Sequence, residues 1–331
     1  MSRISLIAPT ALAIFGGLIL GYFFFSLQSP QSRSELHRVE IIRGQSFSEI
    51  AAALDRERVV QSATTFKLFA LVTGSAHQLK PGVYVLDAAS SSPSVLAALV
   101  KGPVRDVRVV LTEGMTVKDI EETLRRHGIL THGSFSDLDI RQLARTYPFL
   151  SSVKTLEGFL FPDTYDFFPG SEVETIAHVL LNNFQTKIWP ILETHPDFLE
   201  KVILASIVEK EVARLDDRRV VAGILFKRLA LGIPLQIDAA FTYVKCKGLF
   251  VLCERPAVAR TDLDIPSAYN MYLHTGVPPT PISNPGREAI LAVLHPTTSA
   301  FLYYLSDPKT KRTLFSATFD EHNDKRGQYF K

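Results

Sequence analysis

Cysteine is scarce in this chain, with 2 residues among 331. Cys246 and Cys253 have no second cysteine pair and no neighbouring histidine to complete a structural zinc site. A local disulfide outside the cytoplasm fits their spacing, and two free thiols fit it nearly as well, because spacing does not show whether the two Cβ atoms face each other. The sequence leaves both alternatives open.

Metal-binding motifs and runs of basic residues are also missing. The 9 histidines include no His-Glu-x-x-His motif and no close cluster with cysteine, so we predict no metal site and no cofactor. The 36 lysines and arginines stand against 34 aspartates and glutamates, a formal net charge of +2, and they are scattered along the chain. Because nucleic acid binds concentrated positive charge, we predict no nucleic-acid partner.

Charged residues are absent from residues 4–27, which are predominantly apolar. A segment of this length can cross a bilayer as a helix, so we predict a membrane anchor there, with residues 1–3 in the cytoplasm and a polar linker at 28–37. The alternative is a cleaved signal peptide, whose apolar region is shorter and ends in small residues; this segment closes with aromatic residues. Arg3 before it and Arg33, Arg38 and Arg43 after it leave its orientation undecided.

The region after the linker repeats itself at an offset of 70 residues. Each copy reads as a strand, a turn at Gly44 or Gly114, and a helix with Ser46 or Thr116 as its N-cap. The first copy continues with a second helix and a short strand, a pattern that resembles a LysM-like module, a small fold that holds glycans. We predict a LysM-like subdomain at 38–105 and a second repeat with its connection at 106–150.

One carboxylate stands at the end of an apolar helical stripe. Glu211 follows Leu204, Ile207 and Val208 by seven, four and three positions, which places all four on one face of a helix. A carboxyl beside aliphatic carbon has a raised pKa and can hold the proton that a general acid needs near neutral pH. Glu209 points about 200° around the same helix, so we predict that Glu211 alone is catalytic.

Three further segments combine polar and aromatic residues. Residues 156–165 set Asp163 among aromatic side chains, and residues 234–238 place Gln236 and Asp238 on one side of an extended segment. Residues 267–286 hold Tyr269 and Asn270 in a turn-rich stretch. We predict that these five residues bind the substrate; the alternative is that they serve the backbone, as polar residues in turns often do.

In their order along the chain, these motifs resemble those of the endolytic murein transglycosylases, the MltG/YceG-like family of bacterial cell-wall enzymes. The resemblance covers nearly the whole chain and is carried by residues 157–165, 207–211, 235–238 and 269–270. It implies an α+β fold with an N-terminal transmembrane helix, the LysM-like subdomain and a mixed α+β catalytic domain at 151–331. It also implies that Glu211 is the catalytic acid, in agreement with its place on the helix.

The resemblance further implies a lyase without a cofactor. It would cut nascent peptidoglycan strands internally, between N-acetylmuramic acid and N-acetylglucosamine, and leave 1,6-anhydromuramoyl ends. The catalytic domain would face the periplasm or the outer cell surface from the inner (plasma) membrane. Its partners would be glycan strands, the membrane, and peptidoglycan synthases of the elongation or division machinery.

The chain departs from the family pattern at Val212, where Thr or Ser is common, and at Ala239-Ala240, where Pro-Thr is common. The segment from Cys246 to Cys253 replaces a glycine-rich loop. Two rival functions remain. A muramidase would add water and use Asp238 or Asp163 as a second carboxylate, whereas a membrane-bound scaffold would hold glycan through its repeats with an inert cleft.

Overall fold

The computed structural model describes residues 7–31, 35–103, 105–212, 214–254, 265–307, 310 and 312–329. The chain divides into two compact units, Met1–Arg105 and Asp106–Lys331. Both units combine helices with a small antiparallel sheet or sheets. The mixed α+β class predicted from the sequence is therefore confirmed.

The first unit packs short helices against a two-stranded sheet. Its elements are α1 (Ile7–Ser26), β1 (Leu36–Ile41), α2 (Phe47–Arg56), α3 (Ala63–Val72), β2 (Gly82–Asp87) and α4 (Ser92–Lys101). The strands β1 and β2 are antiparallel, with Leu36 opposite Asp87 and Ile41 opposite Gly82. Alternate residues of both strands share one apolar core with α2, α3 and α4.

The predicted membrane anchor falls on α1 and the residues before it. Across the described part of the chain, no helix combines the length and the apolar character that a membrane crossing requires. Residues 4–6 of the predicted segment lie outside the described residues. The anchor stays a prediction.

The second unit carries two separate strand pairs among its helices. Its elements are β3 (Val107–Leu111), α5 (Val117–Arg126), α6 (Ile140–Leu143), β4 (Asp163–Phe167), α7 (Val173–Lys187), α8 (Trp189–Leu192), α9 (Phe198–Glu211), α10 (Leu215–Ala230), α11 (Asp238–Lys245), α12 (Arg287–Leu294), β5 (Tyr303–Ser306), β6 (Thr313–Ser316) and α13 (Phe319–Tyr329). Strand β3 pairs antiparallel with β4, and β5 pairs antiparallel with β6. The β3–β4 pair joins the second repeat to the sequence beyond residue 150 in one compact unit.

Both copies of the internal repeat begin their helix with the predicted cap. The Ser46 hydroxyl accepts the Glu49 N–H, and the Glu49 carboxylate accepts the Ser46 N–H. Thr116 and Asp119 make the same reciprocal pair at the start of α5. Each arrangement satisfies two N–H groups that the first turn of a helix leaves without partners, so the N-cap prediction is confirmed.

Helix α9 forms the centre of the second unit. Its residues Val202–Val208 are all buried, and the helix packs against α10, α11 and α12. A helix that is apolar all round belongs in a core. The rigid packing of α9 fixes the position of its last residue, Glu211.

A close approach at Gly223 gives a test of this packing. A Cβ added at Gly223 in α10 would lie 2.1 Å from the main-chain oxygen of Thr297, whereas one added at Gly327 in α13 would meet nothing within 4 Å. We expect Gly223→Ala to lower the free energy of unfolding by about 1–3 kcal/mol and Gly327→Ala to raise it by about 0.5–1 kcal/mol. Urea unfolding measures both changes, and equal stabilisation by the two substitutions would contradict the close approach.

Candidate active site

The carboxylate of Glu211 lies at the start of α11. Oε1 accepts a hydrogen bond from the Ala239 N–H at 3.1 Å, and Oε2 accepts one from the Tyr304 hydroxyl at 3.4 Å. Ala239 is in the first turn of α11, where N–H groups have no partner within the helix. The start of α11 and strand β5 thus hold the carboxylate in place, while Glu211 keeps part of its surface accessible.

Burial raises the pKa of Glu211 from 4.5 to about 7. The Ala239 N–H opposes this rise, Asp238 adds to it through its negative charge, and the Tyr304 hydroxyl opposes it. A carboxyl with this pKa is present in both protonation states at neutral pH, as a group that donates a proton and then takes one back requires. The direction of the shift agrees with the expectation from the helical stripe.

Glu209 has a separate set of partners. Its carboxylate pairs with the Arg218 guanidinium at 2.6 Å, and both side chains are more than nine-tenths buried. It also accepts the Gly286 N–H at 3.0 Å. Glu209 thus links α9 to α10 and to the start of α12, on a different side of the helix from the contacts of Glu211.

Asp238 is the predicted binding residue that the structure brings nearest to the chemistry of Glu211. It is the first residue of α11 and is exposed, and its charge raises the pKa of Glu211. Its Oδ1 accepts the Tyr272 hydroxyl at 2.5 Å. Asp238 therefore places its carboxylate at the start of α11, the end of that helix to which Glu211 bonds.

Gln236 lies in the loop that leads into α11. Its φ of 55° is in the left-handed region, which is uncommon for a residue other than glycine. The side-chain oxygen accepts the Arg228 guanidinium at 2.8 Å, and the main-chain N–H donates to the Met271 carbonyl at 2.9 Å. Arg228 is buried, so an internal cation fixes the side-chain amide of an exposed residue.

Tyr269 and Asn270 have different surroundings. The Tyr269 hydroxyl is 2.8 Å from the Thr280 hydroxyl, and its ring packs 5.4 Å from the ring of Tyr243 on α11. Asn270 is fully buried, and its side-chain amide bonds the Ile265 carbonyl and the Tyr272 N–H. Asn270 therefore braces the loop that carries Tyr272 to Asp238.

Asp163 is held by α7 rather than by the elements around Glu211. Its carboxylate pairs with Lys187 and accepts the Asn183 side-chain amide at 2.9 Å. Lys187, followed by Asn183, lowers the pKa of Asp163 to about 2. Within the described part of the chain, the side-chain bonds of Asp163 go to α7 and to the adjacent Thr164 N–H, so they tie β4 to α7.

Several neighbours of the site are absent from the sequence prediction. Tyr304 reaches Glu211 from 93 residues away, and no local pattern marks a partner at that distance. Arg228 is in the last turn of α10, where its spacing gives no sign of the bond to Gln236. Tyr272 carried a signal, because it follows Tyr269 and Asn270 in the same polar-aromatic segment.

The departures from the family pattern leave the bonds of Glu211 intact. The carboxylate bonds the main-chain N–H of Ala239 rather than a side chain at that position. Val212 is buried and contributes its carbonyl to Arg218 at 3.2 Å. Among the described residues, no group of three or more His, Cys, Asp or Glu is arranged to hold a metal ion.

The chain is similar to curated bacterial proteins. A Bacillus subtilis (strain 168) protein named endolytic murein transglycosylase is 27% identical over 341 residues, covering 96% of this chain and 91% of that protein. One of the same name from Streptococcus pneumoniae serotype 2 is 28% identical over 315 residues, covering 86% of this chain and 57% of that protein. The chain thus spans little more than half the length of the pneumococcal relative.

A solved structure and a family model agree with these relatives. A crystal structure of a yceG-like protein from Listeria monocytogenes matches with a TM-score of 0.55 and 28% identity, covering 88% of this chain and 99% of that one. The sequence model of the YceG-like family matches residues 39–328. The resemblance inferred from the motifs is confirmed, and the chain belongs to the YceG-like family.

Proposed function

We propose that this protein is an endolytic murein transglycosylase, a lyase that cuts peptidoglycan strands. The observation that carries the proposal is the carboxyl of Glu211, whose pKa burial raises to about 7 at the junction of α9, α11 and β5. The curated relatives named for this activity match along most of the chain. A single carboxyl poised near neutrality is what the reaction of these enzymes requires.

Protonated Glu211 donates its proton to the glycosidic oxygen between N-acetylmuramic acid and N-acetylglucosamine. The C1–oxygen bond of the muramoyl sugar breaks, and its own C6 hydroxyl forms a bond to C1. The C6 hydroxyl proton passes to the Glu211 carboxylate, which restores the starting acid. Because the nucleophile belongs to the same sugar, its effective concentration is high and no water is consumed.

The surrounding residues divide into sugar contacts and supports. Gln236 and Asp238 are exposed at the start of α11, and Tyr269 is partly accessible where its ring packs against Tyr243 of the same helix. These three residues orient the strand. Asn270 is buried and supports the loop of Tyr272. Asp163, ion-paired with Lys187, supports the β4–α7 junction.

A muramidase is the second candidate, and the position of Asp238 favours it over other rivals. Hydrolysis ordinarily requires a second carboxylate that activates water or attacks the sugar. Asp238 is exposed and is the first residue of α11, the helix whose first turn also bonds to Glu211. The products separate the two reactions, because hydrolysis leaves reducing ends that are one water heavier than anhydro ends.

The location follows from the sequence and the chemistry. Residues 4–27 contain no charged side chain, and we include in the proposal that they anchor the chain in the inner (plasma) membrane, with the catalytic unit outside the cytoplasm. There the enzyme meets nascent strands and the synthases that make them. The LysM-like subdomain at 38–105 holds glycan.

Mass spectrometry of the products tests the proposed function. The full-length chain and its Glu211→Gln variant are incubated with uncrosslinked glycan strands, and the new sugar ends are weighed. We expect internal cuts with anhydro ends from the wild type and at least about a hundredfold fewer from the variant. Reducing ends would establish the muramidase, and glycan binding without cleavage by either protein would establish the scaffold.

A further inference from the structure

Glu157 has a buried carboxyl group that takes no part in the proposed chemistry. It is 2% exposed. Its Oε1 accepts the Val117 N–H at 3.0 Å and the Asn284 side-chain amide at 3.2 Å, and its Oε2 accepts the Tyr243 hydroxyl at 3.1 Å. A buried carboxyl group that accepts hydrogen bonds from three separate parts of the chain holds those parts in register.

The charges around Glu157 are also defined. Burial raises its pKa to about 8, the bonds from Val117 and Tyr243 oppose the rise, and the charges of Asp119 and Lys210 act in opposite directions. Lys210 is the neighbour of Glu211 in α9, yet it points the other way, with its ammonium 4.0 Å from the centre of the Phe250 ring.

The bond to Tyr243 connects Glu157 to the helix that carries the donor to Glu211. Tyr243 and Ala239 are four positions apart in α11, so they lie on one face of that helix. Glu157 contacts the face at Tyr243, and Glu211 contacts it one turn earlier at the Ala239 N–H. Glu157 and Glu211 thus both bond to α11, at two different residues of the helix.

We propose that Glu157, through Tyr243, is a positioning residue that fixes α11 and thereby the Ala239 N–H donor on Glu211. This inference deepens the proposed function and rests on it only for its effect on the reaction rate. The positioning itself is a property of the free protein. If α11 shifts when the hydrogen bond between Tyr243 and Glu157 is lost, the hydrogen bond from the Ala239 N–H to Glu211 lengthens.

That bond favours the charged form of Glu211 and lowers its pKa. Among the described residues, the other ionisable groups that face Glu211 are Asp238 on α11, Tyr272 on the following loop and Tyr304 on β5, with Arg228 of α10 facing Tyr304. None of these belongs to the Glu157 contact. Asp238 moves with α11, but its charge affects the pKa of Glu211 less than the Ala239 bond does, so a shift of α11 that weakens this bond gives a net rise in the pKa of Glu211.

The experiment titrates the side-chain carboxyl carbon of Glu211 by NMR in the full-length protein labelled at glutamate, with Glu211→Gln assigning the signal. The test variant is Tyr243→Phe, which removes only the hydroxyl. A main-chain N–H lowers the pKa of a bonded carboxylate by on the order of one unit. We expect the Glu211 midpoint to rise by about half a unit or more in Tyr243→Phe and in the same direction in Glu157→Gln.

Tyr147→Phe is the matched control. Its hydroxyl is also in the interior and bonds His178 and Asn182 of α7, remote in the chain from α11. We expect this control to change stability without moving the Glu211 midpoint. An unchanged midpoint in both Tyr243→Phe and Glu157→Gln would overturn the proposal and leave Glu157 as a structural residue.

A rate measurement gives an independent check on the same variants. If the wild type forms anhydro ends, we expect Tyr243→Phe to lower kcat about tenfold with little change in KM, and to move the fall of kcat at high pH upward with the NMR midpoint. If the wild type forms no anhydro ends, the proposed function fails and the NMR result still decides the positioning role.

Discussion

Replacing Glu211 by glutamine is expected to lower the rate of anhydro-end formation by about a hundredfold to ten-thousandfold, the range for loss of a general acid or base. Glutamine keeps the size of the side chain and an oxygen for the Ala239 N–H, so the fold and strand binding remain. It has no proton to give to the leaving oxygen. The rate is measured by counting new anhydro ends over time.

Glu200→Gln is the matched control, because Glu200 is an exposed glutamate in the first turn of the same helix. We expect it to retain the wild-type rate.

The rate of the wild type should fall as the pH rises through about 7, where Glu211 loses its proton. A second essential carboxylate would add a fall at low pH, and retained activity in Glu211→Gln would place the acid elsewhere.

The second large effect concerns the disulfide between Cys246 and Cys253. It closes the segment after α11, and this segment contacts α5: the Gly248 carbonyl accepts the Thr116 hydroxyl, and the Val251 N–H donates to Asp119. We expect the double variant Cys246→Ser, Cys253→Ser to lower the free energy of unfolding by roughly 2–3 kcal/mol. This free energy corresponds to the conformational entropy that a disulfide across a short loop removes from the unfolded chain.

Thermal unfolding of both proteins with and without a reductant measures this effect. We expect the reductant to lower the Tm of the wild type to that of the double variant and to leave the variant unchanged. Equal Tm values for all four samples would mean that the contacts with α5 hold the segment without the covalent bond. A stabilising disulfide also agrees with a catalytic unit outside the cytoplasm, where disulfides persist.

Local patterns were sufficient for the repeat and for the position of the catalytic candidate. The caps at Ser46 and Thr116 depend on residues three positions apart, and the stripe that ends at Glu211 depends on helical spacing. Both are set within one or two turns of a helix. For that reason they could be predicted before the fold was known.

The partners of the site depend on contacts that local patterns do not encode. Helix α11 begins at Asp238, at the end of a segment that the sequence predicted to be extended, and it supplies the N–H to Glu211. Asp163 forms an ion pair with Lys187, and Cys246 and Cys253 form a disulfide instead of staying as two free thiols. Both pairings depend on how the chain folds back on itself. The sequence indicated Asp163 as a candidate substrate-binding residue, but it did not indicate the bonds of Asp163 to Lys187 and Asn183 of α7.

In the proposed reaction one carboxyl, Glu211, cuts the strand without consuming water. Cleavage in water enriched in the heavy oxygen isotope, followed by mass spectrometry of the new muramoyl ends, tests it most directly. We expect anhydro ends that contain no heavy oxygen. Reducing ends that carry one heavy oxygen atom per cut would contradict it and identify a hydrolase with a second carboxylate.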